Sequence, residues 1–209
     1  MPATGKKPAT IPDREWPNYG NDPGGMRFSP LTGINRGNVA RLKVAWVFHT
    51  GDISDGGGTR QRSGFETTPI LVDGTLFLTT PFNRVIALDP ETGKQRWAFD
   101  PKIDENWQSG DGLINRGLAT WLDTARAPGT LCRRRLFEAT IDARLIALDA
   151  ATGKACADFG KKGEVGLRDV PGFHAGWYHM TSPPAVVDDV VVVGSAATAT
   201  HPLLIVMSS

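Results

Sequence analysis

The sequence predicts an all-β fold: a β-propeller of four-stranded antiparallel blades, of which this chain supplies only two to three. The segment 85–94 recurs at 145–154 with seven of ten positions identical, and each copy follows a run of strand-forming residues. Gly and Pro, 24 and 15 of the 209 residues, interrupt every candidate helix. Repeats of roughly 40–60 residues without helical periodicity are typical of propeller blades.

The first blade is predicted over residues 66–100. Its opening hairpin joins residues 70–72 to 76–78 through Asp73-Gly74, because an Asp-Gly pair adopts the positive φ angles that a two-residue turn requires. Residues 84–88 form the third strand. A Pro-Glu-Thr-Gly turn then leads into a fourth strand, which carries Trp97 and Phe99.

The remaining units are less complete. Residues 39–48 end in Trp-Val-Phe, which resembles the Trp-Ala-Phe of the fourth strand of the first blade. They therefore predict the closing strand of another blade, and residues 1–38 form an N-terminal extension before it. The second blade is predicted over 131–160, with its first strand unidentified. Residues 181–196 repeat the start of the first blade and predict the start of a third, before a divergent tail, 197–209. Propellers close with roughly four to eight blades, so this chain is too short to form one alone.

Charge and hydropathy exclude several classes of protein. The 23 basic and 22 acidic residues give a net charge of +1, and the densest basic run, 133–135, reads as the solvated start of a strand. We therefore predict no nucleic-acid partner. The N-terminus lacks an apolar core, and the uncharged stretch 190–209 contains Gly, His and Pro. These features predict neither a signal peptide nor a transmembrane segment in this chain.

The cysteines and histidines suggest no metal site. Cys132 and Cys156 cannot hold zinc unaided, and on spacing alone they fit either one disulfide or two buried thiols. His174 and His179 are five residues apart, which matches neither a helical zinc pair nor alternate positions of one strand. We expect these histidines to pack among aromatic side chains at the mouth of the propeller.

The repeat resembles the tryptophan-docking motif of the pyrroloquinoline quinone (PQQ)-dependent dehydrogenases. That motif reads Ala-x-Asp-x-x-Thr-Gly-Lys-x-x-Trp over residues 87–97, and Ala157 replaces the Trp in the second copy. In this family the indole stacks between neighbouring blades near the Thr-Gly turn. The segments 16–46, 64–69 and 114–117 are also similar to the family. The resemblance is greatest to the glucose and polyol branch and implies an eight-bladed propeller.

The resemblance implies PQQ as cofactor and four residues that contact it. Glu66 would bond the polar edge of the quinone, Arg116 one of its carboxylates or ring oxygens, and Thr140 a further carboxylate. Ser195 would lie in the loop that passes over the ring. The two adjacent cysteines that alcohol-oxidising members carry before the Arg are absent from residues 109–116, as in the sugar-oxidising branch.

The family also implies the reaction and its setting. Its members oxidise a sugar or alcohol hydroxyl with the help of Ca²⁺ or Mg²⁺, pass electrons to ubiquinone or a cytochrome, and act in the periplasm or at the periplasmic face of the inner membrane. That setting favours a disulfide between Cys132 and Cys156. The tail after Ser195 carries no carboxylate to bind the metal, and the family's general base lies farther along. We therefore expect a truncated chain that is inactive alone.

Two alternatives remain at this stage. A non-catalytic propeller scaffold of the outer-membrane assembly type shares the Thr-Gly-Lys-x-x-Trp repeats without a cofactor, but it has no need of Glu66 and Arg116 at these positions. A nonfunctional remnant of a cut gene would expose blade edges and apolar faces, and it would aggregate.

Overall fold

A computed structural model of the chain describes residues 15–58, 60–104, 107, 109–170, 173, 178–195 and 203–208. Eleven strands in this part of the chain form three antiparallel sheets, and its one helical element is a 3₁₀ turn, Val39–Arg41. The all-β fold class predicted from the sequence is confirmed.

Each sheet follows the chain strand by strand, so every connection is between neighbours. The first sheet contains β1 (Ile70–Val72), β2 (Thr75–Thr79), β3 (Val85–Leu88) and β4 (Gln95–Phe99). The second contains β5 (Ala119–Leu122), β6 (Arg134–Ala139), β7 (Arg144–Asp149) and β8 (Glu164–Gly166). The third contains β9 (Ala185–Val187), β10 (Val190–Ser195) and β11 (Leu203–Ser208).

The β1–β2 hairpin has the turn that the sequence predicts. Val72 pairs with Thr75, and the two residues between them, Asp73 and Gly74, have φ angles of 47° and 66°. A turn with two positive φ angles matches the right-handed twist of the flanking strands, which explains why an Asp-Gly pair stands here.

The limits of three units differ from the sequence prediction. The second sheet extends from Ala119 to Gly166 rather than over 131–160, because β5 is separated from β6 by a long loop and β8 begins only after a turn-rich insertion. Residues 42–48 form no strand, since no described segment pairs with them. Within the tail, residues 203–208 pair along β10 as a third strand, while 196–202 and 209 lie outside the described residues.

Trp46, in the segment before the first sheet, and Trp97, in β4 of that sheet, each lie on a turn of the sheet that follows. The indole N–H of Trp46 donates to the carbonyl of Pro90, and that of Trp97 donates to the carbonyl of Ala150, both at 3.1 Å. Each indole covers a turn glycine, Gly93 or Gly153. The stacking of tryptophan between blades near the Thr-Gly turn is therefore confirmed.

The repeated Asp-x-x-Thr-Gly sequence builds the surface on which the indole lies. Oδ1 of Asp89 accepts hydrogen bonds from the backbone and the hydroxyl of Thr92, and Asp149 does the same with Thr152. Both turns thereby present a glycine with positive φ. A hydrogen bond from Arg96 to Asp89 is the main reason that the pKa of this carboxyl falls to about 2.

The contact between the second and third sheets differs, since Ala157 replaces the docking tryptophan. The indole N–H of Trp121 donates to the carbonyl of Asp188, in the β9–β10 turn, at 3.1 Å. Cys132, before β6, and Cys156, after β7, form a disulfide within the second sheet, which confirms the favoured pairing, and both are buried in the core that this sheet shares with β10.

Replacement of Gly153 by Ala tests the docking contact. A Cβ at Gly153 would lie 2.5 Å from Cε3 of Trp97, on a residue with φ +71°, whereas Gly129 has φ +80° and open space around it. We expect Gly129→Ala to cost ~1 kcal/mol of unfolding free energy from backbone strain alone. Gly153→Ala adds ~1–3 kcal/mol because Trp97 is displaced. Urea unfolding of both variants measures the difference, and equal losses would contradict the docking account.

A carboxyl group is buried between the first and second sheets. Glu138 lies on the same face of β6 as Leu136 and pairs with Ile146 of β7, and those two residues pack against Ile70 and Phe77 of the first sheet. Glu138 is fully buried, and neither of its carboxyl oxygens has a hydrogen-bond partner among the described residues. Burial raises the pKa of Glu138 well above its usual value.

This carboxyl makes the stability of the chain depend on pH. Because its pKa is raised on folding, its contribution is fully present below the pKa of the unfolded chain and is lost as the pH rises towards the folded-state value. We expect Glu138→Leu to raise the unfolding free energy by ~1–3 kcal/mol at neutral pH. Above pH ~4.5, the unfolding free energy of the variant should also fall less steeply with pH than that of the wild-type chain. Exposed Glu91→Leu is the control, and denaturant unfolding from pH 4 to 8 measures both. An unchanged pH slope in Glu138→Leu would refute the assignment.

Candidate functional site

Three segments that lead into the first strands of the three sheets are hydrogen-bonded side by side. The backbone N–H of Thr68 donates to the carbonyl of Arg116 at 3.0 Å, and the N–H of Arg116 donates to the carbonyl of Thr181 at 2.8 Å. The segments before β1, β5 and β9 therefore converge at one end of these strands, with Arg116 in the middle.

The close approach of these segments requires glycine after Arg116. Gly117 has φ +136°, and a Cβ on it would lie 3.0 Å from the carbonyl oxygen of Thr68. A side chain at this position would push the second segment away from the first and would strain the backbone. The Arg-Gly pair thus places the arginine where the first and third segments both reach it.

The side chains of Glu66, Arg116 and Thr181 meet at this point. Nε of Arg116 lies 2.9 Å from Oε2 of Glu66, and Nη1 of Arg116 donates to the hydroxyl of Thr181. The side chains of Arg116 and Glu66 are 36% and 46% exposed. A guanidinium has five N–H donors, so these two contacts leave donors for a ligand that approaches from solvent.

A cleft of about 530 Å³ extends to Arg116. Its walls are the N-terminal residues 18–25, the start of β5, and residues 182–187, which include β9. Apolar side chains form most of its lining, while Arg116 supplies a permanent positive charge and Asp22 a carboxyl group. Clefts of this size with few charged groups are typical of small-molecule sites.

The four residues predicted to contact the cofactor do not all lie together in the structure. Glu66 and Arg116 contact each other directly. Ser195, at the end of β10, donates a 3.4 Å hydrogen bond to the carbonyl of His179, two residues before Thr181.

Thr140 lies at the β6–β7 turn, where its hydroxyl donates to Asp142 and also accepts a 3.1 Å hydrogen bond from the N–H of Arg144. Thr140 is fully buried, and the hydrogen bonds that its hydroxyl makes account for its place in the turn. Its predicted contact with a cofactor stays a prediction.

Thr181 is the site residue that the sequence reasoning did not single out. The signal was present, because Thr181-Ser-Pro repeats the Thr67-Thr-Pro sequence that follows Glu66. Equivalent positions of successive blades lie around the same axis, so a residue before the third sheet had to face the residues before the first and second.

A second polar pair lies beside this site. Nε2 of His179 is 3.3 Å from Oδ2 of Asp111, and His179 is buried. Tyr178 stacks on Phe173, and Phe173 in turn contacts Trp107, so aromatic packing is found next to His179. His174 lies outside the described residues.

Among the described residues, no group of three or more His, Cys, Asp or Glu side chains is arranged to hold a metal ion. The same part of the chain contains no helix long and apolar enough to cross a membrane.

Comparison with known proteins assigns a family. The β-propeller domain described as PQQ glucose/ethanol/alcohol dehydrogenase matches residues 16–203. Quinoprotein glucose dehydrogenase A of Acinetobacter calcoaceticus is 37% identical in an alignment of 212 residues, gaps included. This alignment covers 95% of this chain and 26% of the relative. The glycerol dehydrogenase large subunit of Gluconobacter oxydans is 40% identical over 185 residues, which cover 86% of this chain and 24% of the relative.

Solved structures agree with this assignment. Quinohemoprotein alcohol dehydrogenase ADHIIG from Pseudomonas putida HK5 superimposes with a TM-score of 0.73 at 28% identity, over 94% of this chain and 25% of that structure. The corresponding enzyme from Comamonas testosteroni gives a TM-score of 0.70 at 27% identity, over 93% of this chain and 25% of that structure. The chain therefore spans about a quarter of the length of the relatives that it matches.

Proposed function

Since the chain belongs to the family of PQQ-dependent glucose, ethanol and alcohol dehydrogenases, we propose that it supplies one wall of the PQQ site of an enzyme that oxidises a sugar or polyol hydroxyl. The observation that carries the proposal is the contact of Arg116 with both Glu66 and Thr181 where three sheets converge. A lone surface ion pair would not need this convergence, because it can form on any blade.

The groups present suit the cofactor chemically. PQQ is planar and carries carboxylates, and an arginine fork binds such groups through charge-assisted hydrogen bonds. The Thr181 hydroxyl can donate to the same edge. Glu66, held by Arg116, presents an acceptor for an N–H or hydroxyl of the ligand. When bound, PQQ accepts the two electrons released from the hydroxyl-bearing carbon.

The residues of this chain have binding and orienting roles in this proposal. Arg116 neutralises negative charge on the ligand, and Glu66 fixes the guanidinium plane. Gly117 keeps the three segments close enough for Arg116 and Thr181 to act together. Ser195 is at the edge of the same region through its contact with the His179 carbonyl, which supports its proposed place in a loop over the ring.

The setting of the enzyme is also a proposal. The buried disulfide between Cys132 and Cys156 supports an oxidising compartment such as the periplasm, because reducing compartments disfavour such bonds. The family implies a divalent ion, Ca²⁺ or Mg²⁺, for which the described residues offer no group of three ligands. It also implies an electron acceptor, ubiquinone or a cytochrome, which we extend to this chain. Glucose and glycerol, named in the relatives above, represent the proposed substrate class.

A propeller scaffold without a cofactor is the alternative function. It is not favoured, because the family match and the relatives above are dehydrogenases. The contact of Arg116 with Glu66 and Thr181 also has no purpose in a scaffold whose sheets are already joined by Trp97 and Trp121.

PQQ binding to the purified chain tests the proposal. A calorimetric titration of the chain with PQQ should show saturable binding. Arg116→Ala should weaken this binding ~10–100-fold, because a charge-assisted hydrogen bond contributes ~1.5–3 kcal/mol. Arg116→Lys keeps the charge but loses the planar fork, so its affinity for PQQ should lie between those of the wild-type chain and Arg116→Ala. Arg41→Ala, at an exposed arginine of the 3₁₀ turn, is the matched control.

Two outcomes would count against this function. Equal PQQ affinity of the wild-type chain and Arg116→Ala would place any binding elsewhere. A folded wild-type chain that binds no PQQ would leave its relationship to the dehydrogenases intact but would remove the proposed role in holding the cofactor.

A further inference from the structure

The pair formed by Asp111 and His179 has no part in the proposed PQQ contacts. Its two members differ in exposure: the side chain of His179 is 7% exposed and that of Asp111 is 49% exposed. The imidazole is thus buried behind a carboxylate that faces solvent. This arrangement holds the carboxylate in one orientation while leaving it accessible to a ligand.

The pair lies on the two stretches of chain that carry Arg116 and Thr181. Asp111 precedes Arg116 by five residues on the segment that leads into β5. His179 precedes Thr181 by two residues, and Thr181 contacts Arg116 through both its hydroxyl and its carbonyl. The carbonyl of His179 accepts the hydrogen bond from Ser195. Asp111 and His179 therefore connect the same two segments that form the proposed cofactor site.

The loop that carries Asp111 is fixed on both sides. Before it, the backbone N–H of Ser109 donates to the side chain of Gln61 at 3.0 Å. After it, the N–H of Leu113 donates to the carbonyl of Arg62 at 2.9 Å. Asp111 is consequently held at a defined position rather than on a free loop.

The buried ring of His179 keeps one polar atom unsatisfied. Nδ1 is buried and has no hydrogen-bond partner among the described residues. Because the Asp111 carboxylate can only accept, Nε2 donates in this contact, and Nδ1 is left without a partner. A buried polar atom of this kind destabilises a fold. An apolar residue would fill the position at less cost if packing were its only role.

The chemistry of the pair fits a hydroxyl-rich ligand. An exposed carboxylate oxygen accepts hydrogen bonds from hydroxyl groups, and a carboxylate held by an imidazole does so with a fixed direction. Sugars and polyols carry hydroxyls beside the one that is oxidised, whereas a monohydric alcohol has none to spare.

We propose that Asp111, oriented by His179, accepts a hydrogen bond from a second hydroxyl of the substrate and thereby selects sugars and polyols over monohydric alcohols. Asp111 is the specificity-determining residue, and His179 is its positioning residue. This inference rests on the proposed function, because the oxidised hydroxyl must lie near the PQQ held by Arg116.

Calorimetric titration of the PQQ-loaded chain with glycerol, D-glucose and 1-propanol tests the inference. The wild-type chain should bind glycerol and glucose more tightly than 1-propanol. Asp111→Asn should weaken glycerol binding ~10-fold, because a hydrogen bond to a charged group is lost, while PQQ affinity changes less than about twofold. Exposed Glu91→Gln is the matched control and should change neither affinity.

Two substitutions of His179 separate positioning from packing. Gln retains an N–H that can donate to Asp111, so His179→Gln should keep most of the preference for glycerol over 1-propanol. Phe fills the buried space without a donor, so His179→Phe should lose that preference as Asp111→Asn does. Equal behaviour of the two variants would mean that His179 only fills space.

The remaining outcomes distinguish this inference from the proposed function. Unchanged glycerol binding by Asp111→Asn overturns the inference, as does loss of PQQ binding by that variant, since the pair would then hold the Arg116 segment instead of substrate. A wild-type chain that binds PQQ but no glycerol overturns the inference and leaves the proposed function standing. Glycerol binding by a chain that binds no PQQ overturns the proposed function and, with it, the role of Asp111 in selecting the substrate.

Discussion

The docking of an indole on the turn of the next sheet is the constraint on which the rest of the structure depends. Trp46 and Trp97 each combine a hydrogen bond to a turn carbonyl with contact over a glycine, and Trp97 thereby sets the distance and angle between the first and second sheets. Apolar side chains fill the space between sheets but impose no single geometry. The glycine is required because any side chain there would occupy the position of the indole.

The candidate site is a consequence of that spacing. Arg116 belongs to the segment before the second sheet, yet its partners Glu66 and Thr181 come from the segments before the first and third. No single sheet contains the site, so its geometry is only as rigid as the contacts between sheets. The disulfide of Cys132 and Cys156 links the β5–β6 and β7–β8 connections of the second sheet, within the core that this sheet shares with the third.

Much of the fold could be predicted because its signals are local. The Asp73-Gly74 turn and the repeated Thr-Gly turns are written in short sequences with steric requirements of their own. The limits of the second sheet could not be predicted, since β5 and β8 are short and are joined to the repeat by long connections. Glu66 and Arg116 followed from a family pattern, whereas Thr181, Asp111 and His179 depend on contacts between segments far apart in sequence.

The central claim, that convergence of three sheets creates a PQQ site, is tested most directly by a crystal structure of the chain with PQQ. The account predicts a carboxylate or ring oxygen of PQQ about 3 Å from the Arg116 guanidinium, with the Thr181 hydroxyl at the same edge of the ligand. A structure in which PQQ binds elsewhere, while Arg116 contacts only Glu66 and Thr181, would contradict it.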